Sequence, residues 1–136
     1  MAMLESSTVA TRLPARDLRR ARAFYKDKLG LEPAEERAGG LLYRCAHGMF
    51  ALFESAGAAS GTHTQMAFEV ADLRAAVAEL RTRGVVFADY DLPGLVTIEG
   101  VAEVAGNYPS KGGKGELAAW FRDSEGNLLA IGQPLR

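Results

Sequence analysis

Few side chains in this sequence are equipped for chemistry, and their placement narrows what that chemistry can be. Arg12, Gln65 and Glu69 sit in short alternating stretches, where every second residue shares a face. Counting outward from Leu13, Ala10 and Arg12 point one way while Val9, Thr11 and Leu13 point the other, toward a helix. Arg12 is therefore expected to face inward, away from water. A buried guanidinium needs an anion, so two readings stand: it grips a ligand carboxylate, phosphate or enolate, or it pairs with Glu69. By the same parity Gln65, Ala67 and Glu69 share one face, and Met49, Ala51 and Phe53 line it from another strand. Tyr43 and Trp120 offer ring faces for stacking on a ligand, or apolar bulk for a core. The expected ligand-contacting set is thus Arg12, Tyr43, Phe53, Gln65, Glu69 and Trp120.

Other chemistries find less support. The chain has two histidines, His47 in a turn and His63 two residues before Gln65. One histidine beside one amide falls short of the three protein ligands usual in a catalytic metal site, so His63 is read as a surface residue. The lone Cys45 has no partner for a disulfide or a redox pair and is read as a buried small hydrophobe. Lys111-Gly-Gly-Lys-Gly115 lacks the spacing of a phosphate-binding loop. No Ser-His-Asp or Cys-His set can be assembled, and no catalytic residue is assigned.

The elements that position these residues form a repeat. Arg12 to Ala21 echoes Ala67 to Ala76 at a constant offset of 55, the distance from Asp17 to Asp72. In each copy an alternating strand (Val9 to Leu13, Gln65 to Val70) runs into an Asp suited to cap a helix. Leu18, Ala21, Tyr25 and Leu29 then form one apolar stripe, and Leu73, Ala76, Val77 and Leu80 form another. Gly30 and Gly84 follow the stripes, where a left-handed stop belongs. Strands are expected at Leu31 to Arg37, Leu41 to Cys45 and Met49 to Glu54 in the first copy. The second copy should have them at Val85 to Asp89, Glu116 to Arg122 and Leu128 to Gln133, with Ser124 to Asn127 as a hairpin turn. Ser55 to Thr62 reads as a flexible linker. Tyr90 to Gly115 reads as a long irregular segment, either a lid over a site or a surface excursion.

The order is β-α-β-β-β twice, an α+β arrangement with helices on one face of a curved mixed sheet and a cup on the other. At 136 residues the chain supports a single domain, with module one at about 8–56 and module two at about 62–134. Sixteen basic against seventeen acidic residues give a net charge of -1, so no field draws nucleic acid or an anionic membrane. The apolar runs are too short to span a bilayer and the start lacks a signal peptide, so a cytoplasmic protein is expected.

Asp17-Leu-Arg-Arg-Ala-Arg-Ala-Phe-Tyr-Lys-Asp-Lys-Leu-Gly-Leu-Glu-Pro33 resembles the first helix and turn of the vicinal oxygen chelate superfamily. This superfamily comprises glyoxalases, bleomycin-resistance proteins and extradiol dioxygenases. Ala119-Trp-Phe-Arg-Asp-Ser-Glu-Gly-Asn-Leu-Leu-Ala-Ile131 is similar to its closing hairpin, and the two motifs with the second helix cover about Val9 to Gln133. The resemblance implies paired βαβββ modules around a small-molecule site. In metal-dependent relatives, it further implies His, Glu or Gln ligands on the first and last strands. The matching positions hold Ala10, Gln65 and Ala130, with the module-one counterpart near Ala51. Only Gln65 carries a donor, and so no metal and no cofactor is expected.

The function expected is metal-independent binding of a small organic molecule in the cup, alanines at the old ligand positions leaving room for a bulky apolar or aromatic body. The alternative is a metal-dependent glyoxalase- or dioxygenase-like lyase or oxidoreductase with non-standard ligands. A third reading is an interaction module. A homodimer is expected, because sheets of this kind leave edge strands to cover.

Overall fold

The computed structural model describes residues 3–57, 59 and 61–136, so that part of the Ser55 to Thr62 linker lies outside the described residues. Module one runs β1 (Thr11–Ala15), α1 (Leu18–Leu29), β2 (Glu35–Arg37), β3 (Gly40–Arg44) and β4 (Met49–Glu54). Module two runs β5 (Met66–Glu69), α2 (Leu73–Thr82), β6 (Asp91–Leu92), β7 (Leu95–Ile98), β8 (Val101–Ala105), β9 (Gly115–Arg122) and β10 (Leu128–Leu135). There are two mixed sheets, ordered β1-β4-β3-β2 and β5-β10-β9-β8-β7-β6. In each the first strand lies parallel to the last, β1 beside β4 and β5 beside β10, so the repeat seen in the sequence is a repeat of topology.

Both helices start as their sequences dictate. The Asp17 carboxylate accepts from the Arg20 backbone N–H at 3.0 Å, and the Asp72 carboxylate accepts from that of Ala75 at 3.1 Å. Gly30 (φ 71°) ends α1, and Gly84 (φ 93°) follows α2, both in a conformation that a Cβ disfavours. The apolar stripes pack on the sheets, and one core runs through both modules: Leu13, Tyr25, Tyr43, Phe50 and Leu52 from module one, Leu73, Val77, Phe121, Leu129 and Ile131 from module two. Ring contacts carry it across the module boundary, Phe50 meeting Phe68 edge-on at 5.9 Å.

Two element assignments are corrected by the structure. Val85 to Asp89 is not a strand. Its one ladder contact is an isolated bridge from Phe87 to Phe121, and Val86 is exposed. The second-module counterpart of β2 is instead β8, inside the segment expected to be irregular, where it pairs with β9 from Ala102↔Ala118 to Ala105↔Gly115. The same segment folds a β6–β7 hairpin before β8 and a 3-10 turn, Pro109–Lys111, after it. It is part of the sheet rather than a lid.

Val9 precedes β1 and is exposed, and Cys45, expected in the core, is exposed in the turn after β3. Both expectations extended an alternation past the end of its strand. No helix among the described residues is long and apolar enough to cross a membrane.

Candidate functional site

The concave face of the module-one sheet carries a cavity of about 680 Å³, within the roughly 300–1,000 Å³ usual for small-molecule sites. Its floor follows from the register. Arg12 pairs with Ala51, Ala51 with Leu42 and Leu42 with Glu35, so these four lie side by side across the sheet. In the next row Phe53 pairs with Gly40 and Gly40 with Arg37. The alternate residues Leu13, Leu41, Tyr43, Phe50 and Leu52 are buried under α1 on the opposite face. The floor is therefore Ala51, Leu42, Phe53 and Gly40, with charged side chains at its edges.

Gly40 leaves room there. A Cβ built on it would stand 3.1 Å from Arg37 Cγ, so the bare glycine lets the arginine stem lie back across the sheet. The Arg12 guanidinium stands 5.1 Å from the centre of the Phe53 ring, a cation–π contact. Two of the acidic groups are already paired: Glu35 with Arg44 at 2.8 Å and Glu36 with Arg22 at 2.7 Å. Glu54, at the end of β4, borders the cavity but shares the strand parity of buried Leu52 rather than that of Phe53.

Of the six residues expected at a ligand site, the structure brings Arg12 and Phe53 together here. Tyr43 lies elsewhere. It is fully buried, stacked on Phe50 at 5.0 Å and tilted against Tyr25 at 5.4 Å, and burial pushes its phenol up to about 12. Strand parity explains the miss: Leu42 takes the concave side of β3, which leaves Tyr43 to the core. Tyr43→Phe is accordingly expected to leave binding in the cavity unchanged. It should shift stability by less than about 1 kcal/mol, since the hydroxyl has no hydrogen-bond partner among the described residues. Thermal unfolding and a ligand titration check both halves.

Glu69 does not meet Arg12. It pairs with Lys111, from the 3-10 turn, in a second cleft of about 440 Å³ at the module junction lined also by Thr11, His47 and Phe68. Arg12 itself is exposed and has no ion-pair partner among the described residues, so the expectation of a buried Arg12–Glu69 bridge is corrected. An arginine at the rim of an open sheet needs no buried partner. Trp120 stands on the concave face of module two, its indole N–H donating to Thr64 Oγ at 3.1 Å and its ring edge-on to Tyr90 at 5.5 Å. Gln65 precedes β5, its backbone N–H donating to the Leu128 carbonyl and its Oε1 buried without a partner among the described residues. Arg37, Gly40 and Leu42 were not anticipated. The Gly39-Gly40 pair was legible as a turn, but its second glycine also clears the floor.

Ala10 and Ala51 line this cavity, and Ala130 is buried in β10 paired with Ala67. Alanine offers no donor atom, and no group of three His, Cys, Asp or Glu side chains among the described residues could hold a metal ion. The residues at these positions do not fit a divalent cation.

A second constellation joins the modules without any ligand role. Asp123, just past the end of β9, is 6% exposed. One carboxylate oxygen accepts from the Tyr25 hydroxyl at 2.8 Å and from Asn127 Nδ2 at 2.9 Å, the other from the backbone N–H groups of Glu125 and Asn127. Asn127 Nδ2 also donates to the Pro14 carbonyl at 3.0 Å. Burial, with Asp123 beside it, holds the Tyr25 phenol well above its ordinary range.

Comparison with known proteins agrees with this architecture. Residues 7–131 match the model of the Glyoxalase/Bleomycin resistance protein/Dioxygenase superfamily. A glyoxalase/bleomycin resistance protein/dioxygenase from Alicyclobacillus acidocaldarius is similar at a TM-score of 0.68 and 17% identity, over 96% of this chain and 93% of that one. A lactoylglutathione lyase from Agrobacterium tumefaciens is similar at 0.58 and 25% identity, over 94% and 93%. A fosfomycin resistance protein from Listeria monocytogenes, complexed with Mn(II) and a dihydroxypropylphosphonic acid, is similar at 0.58 and 14% identity, over 93% and 88%. No curated protein sequence matches. With a β-α-β-β-β order in both units, the second enlarged by the β6–β7 hairpin, a shared core and a family match over almost its whole length, the chain belongs to the glyoxalase/bleomycin resistance protein/dioxygenase superfamily.

Proposed function

We propose that this protein is a metal-independent small-molecule binding protein, one domain holding an organic ligand in the module-one cavity. The observation that carries this reading is the coincidence of two features. Three of the four positions that would hold a metal are alanines, Gln65 being the fourth, and two of them, Ala10 and Ala51, line a cavity of about 680 Å³ floored by apolar side chains. Removing bulky donors leaves volume, and volume over a partly apolar floor favours an organic body over a chelated ion. An exposed, unpaired Cys45 suits a reducing compartment, so the cytoplasm is the proposed location.

Elemental analysis of protein purified without chelators tests the metal-free part. Substoichiometric divalent metal is expected. A stoichiometric ion would replace this reading with that of a metal-dependent lyase or oxidoreductase using non-standard ligands.

A homodimer is proposed as the working form. The β6–β7 hairpin at the sheet edge leaves Leu92, Val96 and Ile98 at 53%, 55% and 77% exposure, apolar area that a second copy would cover. Light scattering at micromolar concentration should give twice the 14.6 kDa chain mass; the monomer mass would count against assembly.

A further inference from the structure

We propose that the module-one cavity selects an aromatic organic anion, a carboxylate or sulfonate on a body of two or three rings. Its charged group would lie on Arg12 and its apolar body across Ala51, Leu42 and Phe53. The proposal rests on the reading of this cavity as a binding site and adds the chemical class of what binds.

The charges around the floor give the sign. Arg44 is neutralised by Glu35, and Glu36 is drawn to Arg22 on the first helix. Arg12 and Arg37 have no ion-pair partner among the described residues, and both border the same floor. Arg12 enters from β1 and Arg37 from β2, at opposite edges of a four-stranded sheet. Three strand spacings of about 4.8 Å put those edges on the order of 14 Å apart, room for an aromatic body of two or three rings between them. Two unpaired cations at opposite edges of an apolar floor, against the carboxylate of Glu54 on the other strand parity, leave the rim of the cavity net positive.

The shape follows from the same residues. Ala51 and Gly40 keep the middle of the floor flat, and the Phe53 ring offers a face beside the charge it already attracts. A guanidinium over a ring presents its N–H edge outward, where a carboxylate or sulfonate accepts paired hydrogen bonds. The aliphatic stem of Arg37 lies over Gly40 and walls the far side with carbon, its charged head standing at the edge.

Fluorescence titration of the full-length protein with two dyes of the same skeleton tests this: the anion 1-anilinonaphthalene-8-sulfonate and the neutral N-phenyl-1-naphthylamine, both with EDTA present. The anion is expected to bind about tenfold tighter or more, with affinity falling as salt is raised. Arg12→Ala should close most of the gap between the dyes, and Arg12→Lys, which keeps the charge but loses the planar fork, should close it in part. Because Arg12 is exposed, the melting temperature of both variants should match that of the parent. Equal binding of the two dyes, or a gap that survives both Arg12→Ala and Arg37→Ala, overturns the anion assignment while leaving the cavity as a binding site. Binding of neither dye overturns the cavity reading itself, and the anion assignment with it.

Discussion

Asp123→Ala is expected to lower the stability of the folded chain by about 3–5 kcal/mol, since each hydrogen bond to a charged group contributes about 1.5–3 kcal/mol and the bonds are not additive. Four donors converge on this one carboxylate, and alanine returns none of their hydrogen bonds. The Tyr25 hydroxyl would be left in a core where Tyr25 is fully buried, and the turn from Asp123 to Asn127 would lose the three bonds that close it to the side chain. The damage crosses modules, since Tyr25 belongs to α1 and Asn127 reaches the Pro14 carbonyl in β1. Tyr25→Phe removes one bond but leaves the carboxylate its other donors, so it should cost only about 1–2 kcal/mol. Urea unfolding of the two variants checks the order. A loss below about 1 kcal/mol for Asp123→Ala would mean that this network adds little to holding the modules together.

The second large effect is acid sensitivity placed on Glu125. Its carboxylate, 1% exposed, accepts from the backbone N–H groups of Arg16 and Asp17, from the Arg20 guanidinium and from Ser124. It thus closes the approach to the N-terminus of α1 from the opposite module, where a negative charge also meets the helix dipole. The Arg20 hydrogen bonds come first among the causes that lower its pKa to about 2 from the usual 4.5, with backbone Asp17 and Ser124 adding to them against the opposing effect of burial.

The sign is that of a depressed carboxylate: the stabilisation is complete above the unfolded value near 4.5 and disappears as pH falls toward about 2. The full shift would correspond to about 3 kcal/mol, and the half-exposed Arg20 reduces this to on the order of 2 kcal/mol. Unfolding free energies of the parent and of Glu125→Gln should therefore differ clearly at pH 7 and converge by about pH 2.5. A difference that stays constant across that window would assign the effect to shape rather than charge.

Much of the scaffold was legible because it is local. Asp17 and Asp72 cap, Gly30 and Gly84 stop, and the apolar stripes between them need only a sheet to pack on; each is a property of a few neighbouring residues. Val85 to Asp89 misled because an apolar β-branched run is as suited to a buried coil as to a strand, and only the ladder partner decides between them. β7 and β8 were hidden by the glycines that punctuate their surroundings, Gly94, Gly100 and Gly106. Glu99 and Gly100 form the tight turn between the two strands, both at positive φ.

The site was harder to read, because a cavity is a property of register. Arg12 and Phe53 could be placed by counting along a strand, whereas Arg37 joins them only through the pairing of Arg37 with Gly40 and of Gly40 with Phe53. Glu125 was visible only as a turn residue, since its partners in module one, Arg16, Asp17 and Arg20, lie more than a hundred positions away in the chain.

The most direct test of ligand binding in the module-one cavity without metal is amide mapping by nuclear magnetic resonance. Uniformly labelled protein would be titrated with 1-anilinonaphthalene-8-sulfonate, with and without EDTA. The account predicts shifts centred on Arg12, Arg37 to Leu42 and Met49 to Phe53, the same in both conditions. Shifts that vanish with EDTA, or that centre on Trp120 or on Glu69 and Lys111 instead, would contradict it.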